Sequence, residues 1–312
     1  MKEKLSPALH RVTLKQLRAL AAVVDAGTVS RAAEALHVTA PAITQQLQKL
    51  EACAGMPLFE RTPEGIRATE AGSEMLSTAA RMENALIQCA EALDLVGGIE
   101  QGRVAVGLVS TAKYFAPRLL ADFMKTHPKV DIRVQIGNRA AIMTALRDFE
   151  LDFAVTGRPP KEFEINSVVI GDHPHIVIAP PDHPLANRKR LPFSALAGER
   201  FLLREQGSGT RLLMRRLFSD AGLNPELGLE LGGNETIKQA VMAGLGIALI
   251  SAHTVTAELG DGRLVALKAS GLPVVRQWFV VRHQSKRLLP VAKELWDFFA
   301  ISGARFLPQM PS

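Results

Sequence analysis

Cysteine is nearly absent: Cys53 and Cys89 are the two in 312 residues. Two thiols support no disulfide framework, and this spacing fits no cysteine-ligated metal site, so buried reduced thiols are expected. Long apolar runs are also missing. The longest nearly uninterrupted one, Val241 to Ile250, contains Gly244 and Gly246 and falls well short of the roughly 20 residues that cross a bilayer. Met1 to Pro7 mixes acidic, basic and proline residues, unlike a secretory leader, so a cytoplasmic protein with no membrane partner is expected. Catalytic signatures are lacking as well. No GxSxG elbow or HExxH zinc motif occurs, Gly207-Ser208-Gly209-Thr210 lacks the Gly-Lys-Ser/Thr ending of a phosphate loop, and Gly244-Leu245-Gly246 leads into a strand pattern. His173, His175 and His183 lie in HPHIVIAPPDHP, where alternating prolines assign them to turns and strand edges rather than to a metal. No catalytic residue, metal ligand or cofactor is predicted.

What the chain does contain is organised around Thr28 to Leu50. Ala32-Ala33-Leu36 and Ile43-Leu47-Leu50 are two helical blocks separated by His37-Val38-Thr39, which is a helix-turn-helix pattern. Thr39 is read as the N-cap of the second helix, with Pro41 tolerated in its first turn. If Ile43, Leu47, Leu50 and Ala54 face inward, the 3.6-residue period turns Pro41, Thr44, Gln45 and Gln48 outward. That face is small, uncharged and able to hydrogen-bond base edges in a major groove; an ordinary amphipathic helix pair has the same pattern. A preceding helix from Thr13 to Gly27 supplies the third wall of the core. After it all, Pro63-Glu64-Gly65 forms a turn between Leu58–Arg61 and Ile66–Thr69, a two-stranded wing from which Arg61 and Arg67 can reach phosphates. Solvated surface arginines are the alternative.

From Thr69 a helix is expected to run to about Val96, where Gly97-Gly98 stops it. Met75, Ala79, Met82, Leu86, Cys89, Leu93 and Val96 are spaced alternately by four and three, a heptad seam that predicts a dimerising linker helix. Two helix-turn-helix units held at fixed spacing can read two half-sites. The net charge of +6 does not by itself argue for DNA. Residues 1–68 carry nine Lys/Arg and six Asp/Glu, residues 69–96 one and five, leaving 27 and 20 for residues 97–312. The basic excess therefore lies mostly in the larger part, and points there to an anionic ligand.

Beyond Gly102, strand-like and helical runs alternate, which predicts an α/β region with largely parallel sheets in two lobes. Crossovers are placed near His175 to Pro181 and near Arg276 to His283. Ligands of open parallel sheets sit beyond the carboxyl ends of the strands, beside helix N-termini. The turns at those ends are rich in Ser, Thr, Asn and Gly, and four of five carry a basic residue. They nominate Ser110, Thr111, Lys113, Asn138, Arg139, Arg158, Gly207, Ser208, Thr210, Asn234, Glu235 and Thr236 for a small anionic effector. The same residues also serve as ordinary helix caps.

The helix-turn-helix, the PLFER segment, the Thr69-Glu70-Ala71-Gly72 entry to the linker and the two-lobed remainder resemble LysR-type transcriptional regulators over the full length. STAKYFAP (110–117), GNR (137–139), GRPP (157–160), REQGSGTR (204–211) and the stretch 233–255 resemble the CbbR-type regulators of carbon-fixation (RuBisCO) operons. The resemblance implies an α/β fold with an N-terminal winged helix-turn-helix (1–69), a long linker helix (70–98) and a periplasmic-binding-protein-like effector domain (99–312). In that domain lobe I covers about 99–176 and 282–312, and lobe II about 177–281. It implies a DNA-binding activator, a homodimer through the linker and usually a homotetramer, with RNA polymerase as a further partner. Phosphorylated metabolites or NADPH are the implied effectors. It adds Ser30, Arg31, Thr39 and Ala40 to Pro41, Thr44, Gln45, Gln48, Arg61 and Arg67 at the DNA. Many family members carry arginine where Gln45 stands and glutamine where Ala40 stands; Arg reads guanine and Gln adenine, so this departure bears on base preference. A regulator of another metabolic operon, a solute-binding module without DNA binding, and an enzyme using the same cleft are the alternatives.

Overall fold

Thr13 opens the first helix, α1 (Leu14–Ala26), through a reciprocal capping box: its hydroxyl accepts from the Gln16 amide while the Gln16 side chain accepts from the Thr13 amide. Gly27, at a φ of 70°, ends it. The computed structural model describes residues 8–96 and 102–309, so the readings on Met1 to Pro7 and on Gly97-Gly98 lie outside the described residues. The chain forms two units, residues 1–94 with 148–150, and residues 95–147 with 151–312.

In the first unit α2 (Val29–Ala35) starts at Thr28, whose hydroxyl accepts from the Arg31 amide. The tight turn after it places His37 at a φ of 53°. Helix α3 (Ala40–Ala54) follows. Thr39 is its N-cap by position, but its hydroxyl makes no capping bond. With Pro41 removing one free amide, the Ala42 and Ile43 amides are taken by the Thr39 carbonyl, which leaves the hydroxyl at the surface. Leu17, Leu20, Val23, Ala32, Ile43, Leu47 and Leu50 close one small core, joined by Leu58 and Ile66.

Strands β1 (Phe59–Thr62) and β2 (Gly65–Ala68) form the wing, with Glu60 opposite Arg67. The Ile66 amide donates to the Gly27 carbonyl at 3.0 Å, tying the wing to the end of α1. Thr69 then starts the long α4 (Glu70–Val96), accepting from the Gly72 amide while its own hydroxyl donates to the Pro57 carbonyl. Gly72 has a steric reason: a Cβ there would lie 1.8 Å from the Leu58 carbonyl oxygen. Arg18 on α1 makes a two-pronged ion pair with Glu83 on α4. The expected continuous seam of α4 divides. Ala79 and Met75 pack into the winged-helix core, whereas Met82, Leu86, Cys89 and Leu93 are exposed, joined by Ile87.

In the second unit β3 (Arg103–Val109), α5 (Ala116–Thr126), β4 (Asp131–Gly137), α6 (Arg139–Arg147) and β5 (Phe153–Thr156) alternate, and β4 and β5 pair with β3 in parallel. A single long strand, β6 (Ile165–Ala179), leads onward to β7 (Arg200–Arg204), α7 (Gly209–Asp220), β8 (Glu226–Leu231), α8 (Asn234–Met242), β9 (Ala248–Ser251), α9 (Thr256–Gly260) and β10 (Val265–Ala266). Strand β11 (Val274–His283) returns, followed by α10 (Pro290–Ser302). The main sheet runs β10, β6, β11, β5, β3, β4, with β9 also on β6; β7 and β8 pair separately.

The sheet is less parallel than the alternation of elements predicts. β6 and β11 are antiparallel to each other, and β11 is antiparallel to β5. One strand must leave the first lobe and one must return, so these two run in opposite directions. Val281 to Phe279 pair with β5 in the first lobe, while His175 to Ile178 of β6 pair with β9 in the second. A register shift between Trp278 and Phe279 marks the passage. The first lobe buries Phe115, Phe153, Trp278 and Phe299 in its core. The second has a core on each face of its sheet, around Phe201 and around Ile250.

Candidate functional site

The helix-turn-helix unit presents α3 as the sequence pattern requires. Pro41, Thr44, Gln45 and Gln48 are exposed, opposite the buried Ile43, Leu47 and Leu50. The Thr44 hydroxyl donates to the Ala40 carbonyl at 3.1 Å. Among the described residues the side chains of Gln45 and Gln48 have no protein partner, so both amides are free for base edges. Ser30, Arg31 and Thr39 are exposed nearby in sequence on α2 and its following turn, and Ala40 is half-buried. On the wing, Arg61 is exposed, whereas Arg67 is exposed but bonded to Glu64. An exposed ion pair of this kind is worth little and yields readily to a phosphate.

The second unit holds a small chamber between its lobes. Its wall draws on the ends of several strands: Ser110 and Thr111 after β3, Asn138 and Arg139 after β4, and Thr156, Gly157 and Arg158 at β5. The opposite lobe adds Arg204, Ser208, Gly209 and Thr210. His173, His175 and Arg276 close it from the two crossing strands. Contacts between the lobes shut the rim. The Ala140 amide donates to the Gly207 carbonyl, Asn138 Nδ2 to the Gln206 carbonyl, and Asn234 Nδ2 to the Ser110 carbonyl.

Seven of the predicted effector residues therefore meet on this wall: Ser110, Thr111, Asn138, Arg139, Arg158, Ser208 and Thr210. Lys113, Gly207, Asn234, Glu235 and Thr236 do not line it. Asn234 is fully buried, and its Oδ1 accepts from Arg204 Nη1, so it aims a cation at the chamber. Gly207 lends its carbonyl to the rim. Lys113 and Lys238 lie over the Tyr114 ring, and Tyr114 donates its hydroxyl to Glu235, a contact that joins the two lobes away from the chamber. Burial and then Glu235 push the Tyr114 hydroxyl above its ordinary pKa, so it remains a donor. Thr236 is exposed.

Sequence reasoning missed Arg276 and the histidines. Arg276 is the one charged residue in the mostly apolar VVRQWFVV stretch of β11, and a cation placed inside a central strand was the available signal. His173 and His175 are not at turns or edges but buried in β6, because that strand continues through the proline between them. His183 does lie in a turn. His173 stacks on Trp278 at 3.8 Å between ring centroids and Trp278 Nε1 donates to His253 Nδ1. Burial, then Arg276, lowers His175 to about 3, and burial lowers His253 to about 4, so both are neutral at pH 7.

The charge on the wall is unbalanced. Arg204 is paired with Glu205, whose carboxyl burial alone would raise but which the Arg204 bonds hold below its usual value. Arg139 uses its guanidinium on the Arg158 and Pro159 carbonyls. Arg158 and Arg276 have no ion pair among the described residues. Burial, then the neighbouring Arg158, Arg139 and Arg216, depresses the Arg276 guanidinium. Glu205 pairs with Arg204 and Glu162 acts on Arg139 and Arg158, which still leaves more cations than carboxylates in a half-closed chamber, the arrangement an anion would neutralise. Among the described residues no three of His, Cys, Asp and Glu are grouped to hold a metal, and no helix is long and apolar enough to cross a membrane.

A winged helix-turn-helix followed by a long helix and a two-lobed ligand chamber defines a DNA-binding transcriptional regulator of the LysR type. The chain belongs to the LysR family: residues 14–73 match the bacterial regulatory helix-turn-helix protein, lysR family, and residues 97–302 match the LysR substrate binding domain. Within it, the chain is 50% identical over 301 residues to the HTH-type transcriptional regulator CbbR of Xanthobacter flavus, covering 96% of this chain and 90% of that one. It is 39% identical over 294 residues to the RuBisCO operon transcriptional regulator of Allochromatium vinosum, covering 94% and 97%. The regulatory domain of Synechocystis PCC6803 CcmR, solved in complex with 2-PG, is 35% identical, with a TM-score of 0.63, over 68% of this chain and all of that one.

Proposed function

We propose that this regulator controls a carbon-fixation (RuBisCO) operon, usually as an activator, in response to a small anion bound in the interlobe chamber. The observation that carries the effector half is the convergence of Arg158 and Arg276, neither in an ion pair among the described residues, on a chamber lined by hydroxyls. The identity to CbbR-type relatives supports the operon class. The complex of the CcmR domain with 2-PG supports a ligand of that type, and phosphorylated metabolites and NADPH remain within the same anionic class. On the DNA side, Pro41, Thr44, Gln45 and Gln48 read bases, Ser30, Arg31, Thr39 and Ala40 border them, and Arg61 and Arg67 hold phosphates.

The exposed Met82, Leu86, Cys89 and Leu93 stripe of α4 supports a homodimer through the linker, with a homotetramer above it. Domain limits at 1–69, 70–98 and 99–312 and a cytoplasmic location, with RNA polymerase as partner, complete the reading. An effector shifts the regulator only if it binds one lobe arrangement better than another. Footprinting on the gene's own upstream region and on a carbon-fixation promoter tests it. Protection that 2-PG or NADPH alters, and that falls with salt, is expected. Protection of neither sequence refutes it.

A further inference from the structure

His173 is the residue of the chamber whose chemistry is left open. It is 4% exposed, yet its Nδ1 has no hydrogen-bond partner among the described residues. A buried ring nitrogen left unpaired is costly unless something fills the place. That nitrogen lies beside Gly157 on the chamber wall: a Cβ on Gly157 would come within 2.6 Å of it. With no side chain on Gly157, the space between that nitrogen and the chamber wall is not filled by protein. At the other end of the ring, Nε2 is 2.9 Å from the hydroxyl of the fully buried Ser251. Trp278 stacks on the ring and fixes its plane.

Resting on the anion reading above, we propose that His173 Nδ1–H donates to an oxyanion group, phosphate or carboxylate, of the bound effector, and that His173 gains a proton as the effector binds. Ser251 makes the gain permissible. A serine hydroxyl rotates, so it donates to Nε2 of the neutral ring and accepts from Nε2–H of the imidazolium. With an oxyanion at Nδ1, the charged ring is satisfied at both ends; without one it is not. The groups around the ring agree in sign. His175 on the same strand, His253 beyond β9 and Arg276 on β11 act on it; burial first, then these three, hold it well below the ordinary histidine value in the free protein. Arg158 and Arg139 share the chamber wall. Asp172 is the neighbouring carboxylate on the strand, acting on His253. A bound anion supplies the missing opposite charge.

The test is calorimetric titration of the full chain with 2-PG at pH 7.5, in Tris and in PIPES, whose differing ionisation heats report protons exchanged. Expected is uptake of up to one proton per chain in the wild type and none in H173Q. Affinity in the wild type rises as pH falls toward 6.5, by at most about tenfold per unit. Gly157→Ala covers Nδ1 without removing a charge, and weakens binding at least tenfold while the melting transition remains cooperative. If H173Q does not fold, S251A replaces it and lowers the uptake. Binding of 2-PG with equal uptake in wild type and variant overturns the role of His173 and leaves the anion reading standing. Absence of binding of both 2-PG and inorganic phosphate to the folded wild type overturns both.

Discussion

Replacing Arg276 by methionine separates the two costs that its position imposes. The guanidinium is half-buried, has no counter-ion among the described residues, and faces Arg158, Arg139 and Arg216. In the free protein those repulsions destabilise the chamber; discounted for solvent screening, their sum is about 0.5–1 kcal/mol. Methionine keeps the length and packing of the stem while deleting the charge. The ligand-free variant is therefore expected to melt higher, by about 1–4 °C for a unit of this size. Effector binding moves the opposite way. A charge-assisted hydrogen bond to an anion is worth about 1.5–3 kcal/mol, so affinity for 2-PG falls about 10- to 150-fold. Thermal melts without ligand at low and high salt, paired with calorimetry, read both effects, and the stabilisation shrinks as salt rises. A variant that melts lower without ligand and binds 2-PG as well as the wild type refutes the reasoning.

Gln48→Ala is expected to cost on the order of 1–3 kcal/mol at its base pair, while Arg61→Ala weakens specific and random DNA alike and lowers the salt slope by about 1. Mobility shifts on operator and random duplexes check both, and equal losses for Gln48→Ala would exclude base reading. Leu86→Glu places a charge in the exposed stripe of α4 and is expected to dissociate the dimer without lowering the melting temperature of the winged-helix unit; sedimentation of an intact dimer would count against the stripe as the interface. Gly72→Ala drives a Cβ to 1.8 Å from the Leu58 carbonyl oxygen and is expected to destabilise that unit by about 3 kcal/mol in chemical denaturation. His175 titrates near 3 in the folded chain, against an ordinary value of 6.5. Its neutral form thus contributes stability that is present above pH 6.5 and lost as pH falls, roughly 2 kcal/mol of it by pH 5. A ligand-binding unit that melts identically at pH 7 and pH 5 would contradict this.

How much of this was legible beforehand depended on the range of the interactions. The recognition helix, its cap positions, the wing turn and the long helix rest on periodicities and turn chemistry within about ten residues, and these appear in the sequence where the structure has them. Thr39 shows the limit even there, since Pro41 and the Thr39 carbonyl leave its hydroxyl no amide to cap. The α4 seam shows another. Met75 and Ala79 have the heptad spacing, but contact with α1 and the wing assigns them to a core that spacing alone does not reveal.

In the ligand unit the helix-capping turns announced Ser110, Thr111, Asn138, Arg139, Arg158, Ser208 and Thr210, because a strand end followed by a helix start is a local feature. Arg276 and the buried His173 and His175 were not legible, since nothing near them in sequence says that β6 and β11 cross between lobes there. By itself, then, the sequence determined the two kinds of unit, the uncharged exposed face of α3 with Gln45 and Gln48, and the basic excess of the larger part, all of which follow from local pattern and charge. Only the tertiary structure decided which cations share a chamber, which histidines lose their water, and which nitrogen is left facing a ligand. Those are matters of burial and of residues far apart in the chain, such as Arg276 and Arg158 on one chamber wall and His173 with Ser251, 78 residues away, and long-range contacts are made by topology rather than by neighbours in the chain.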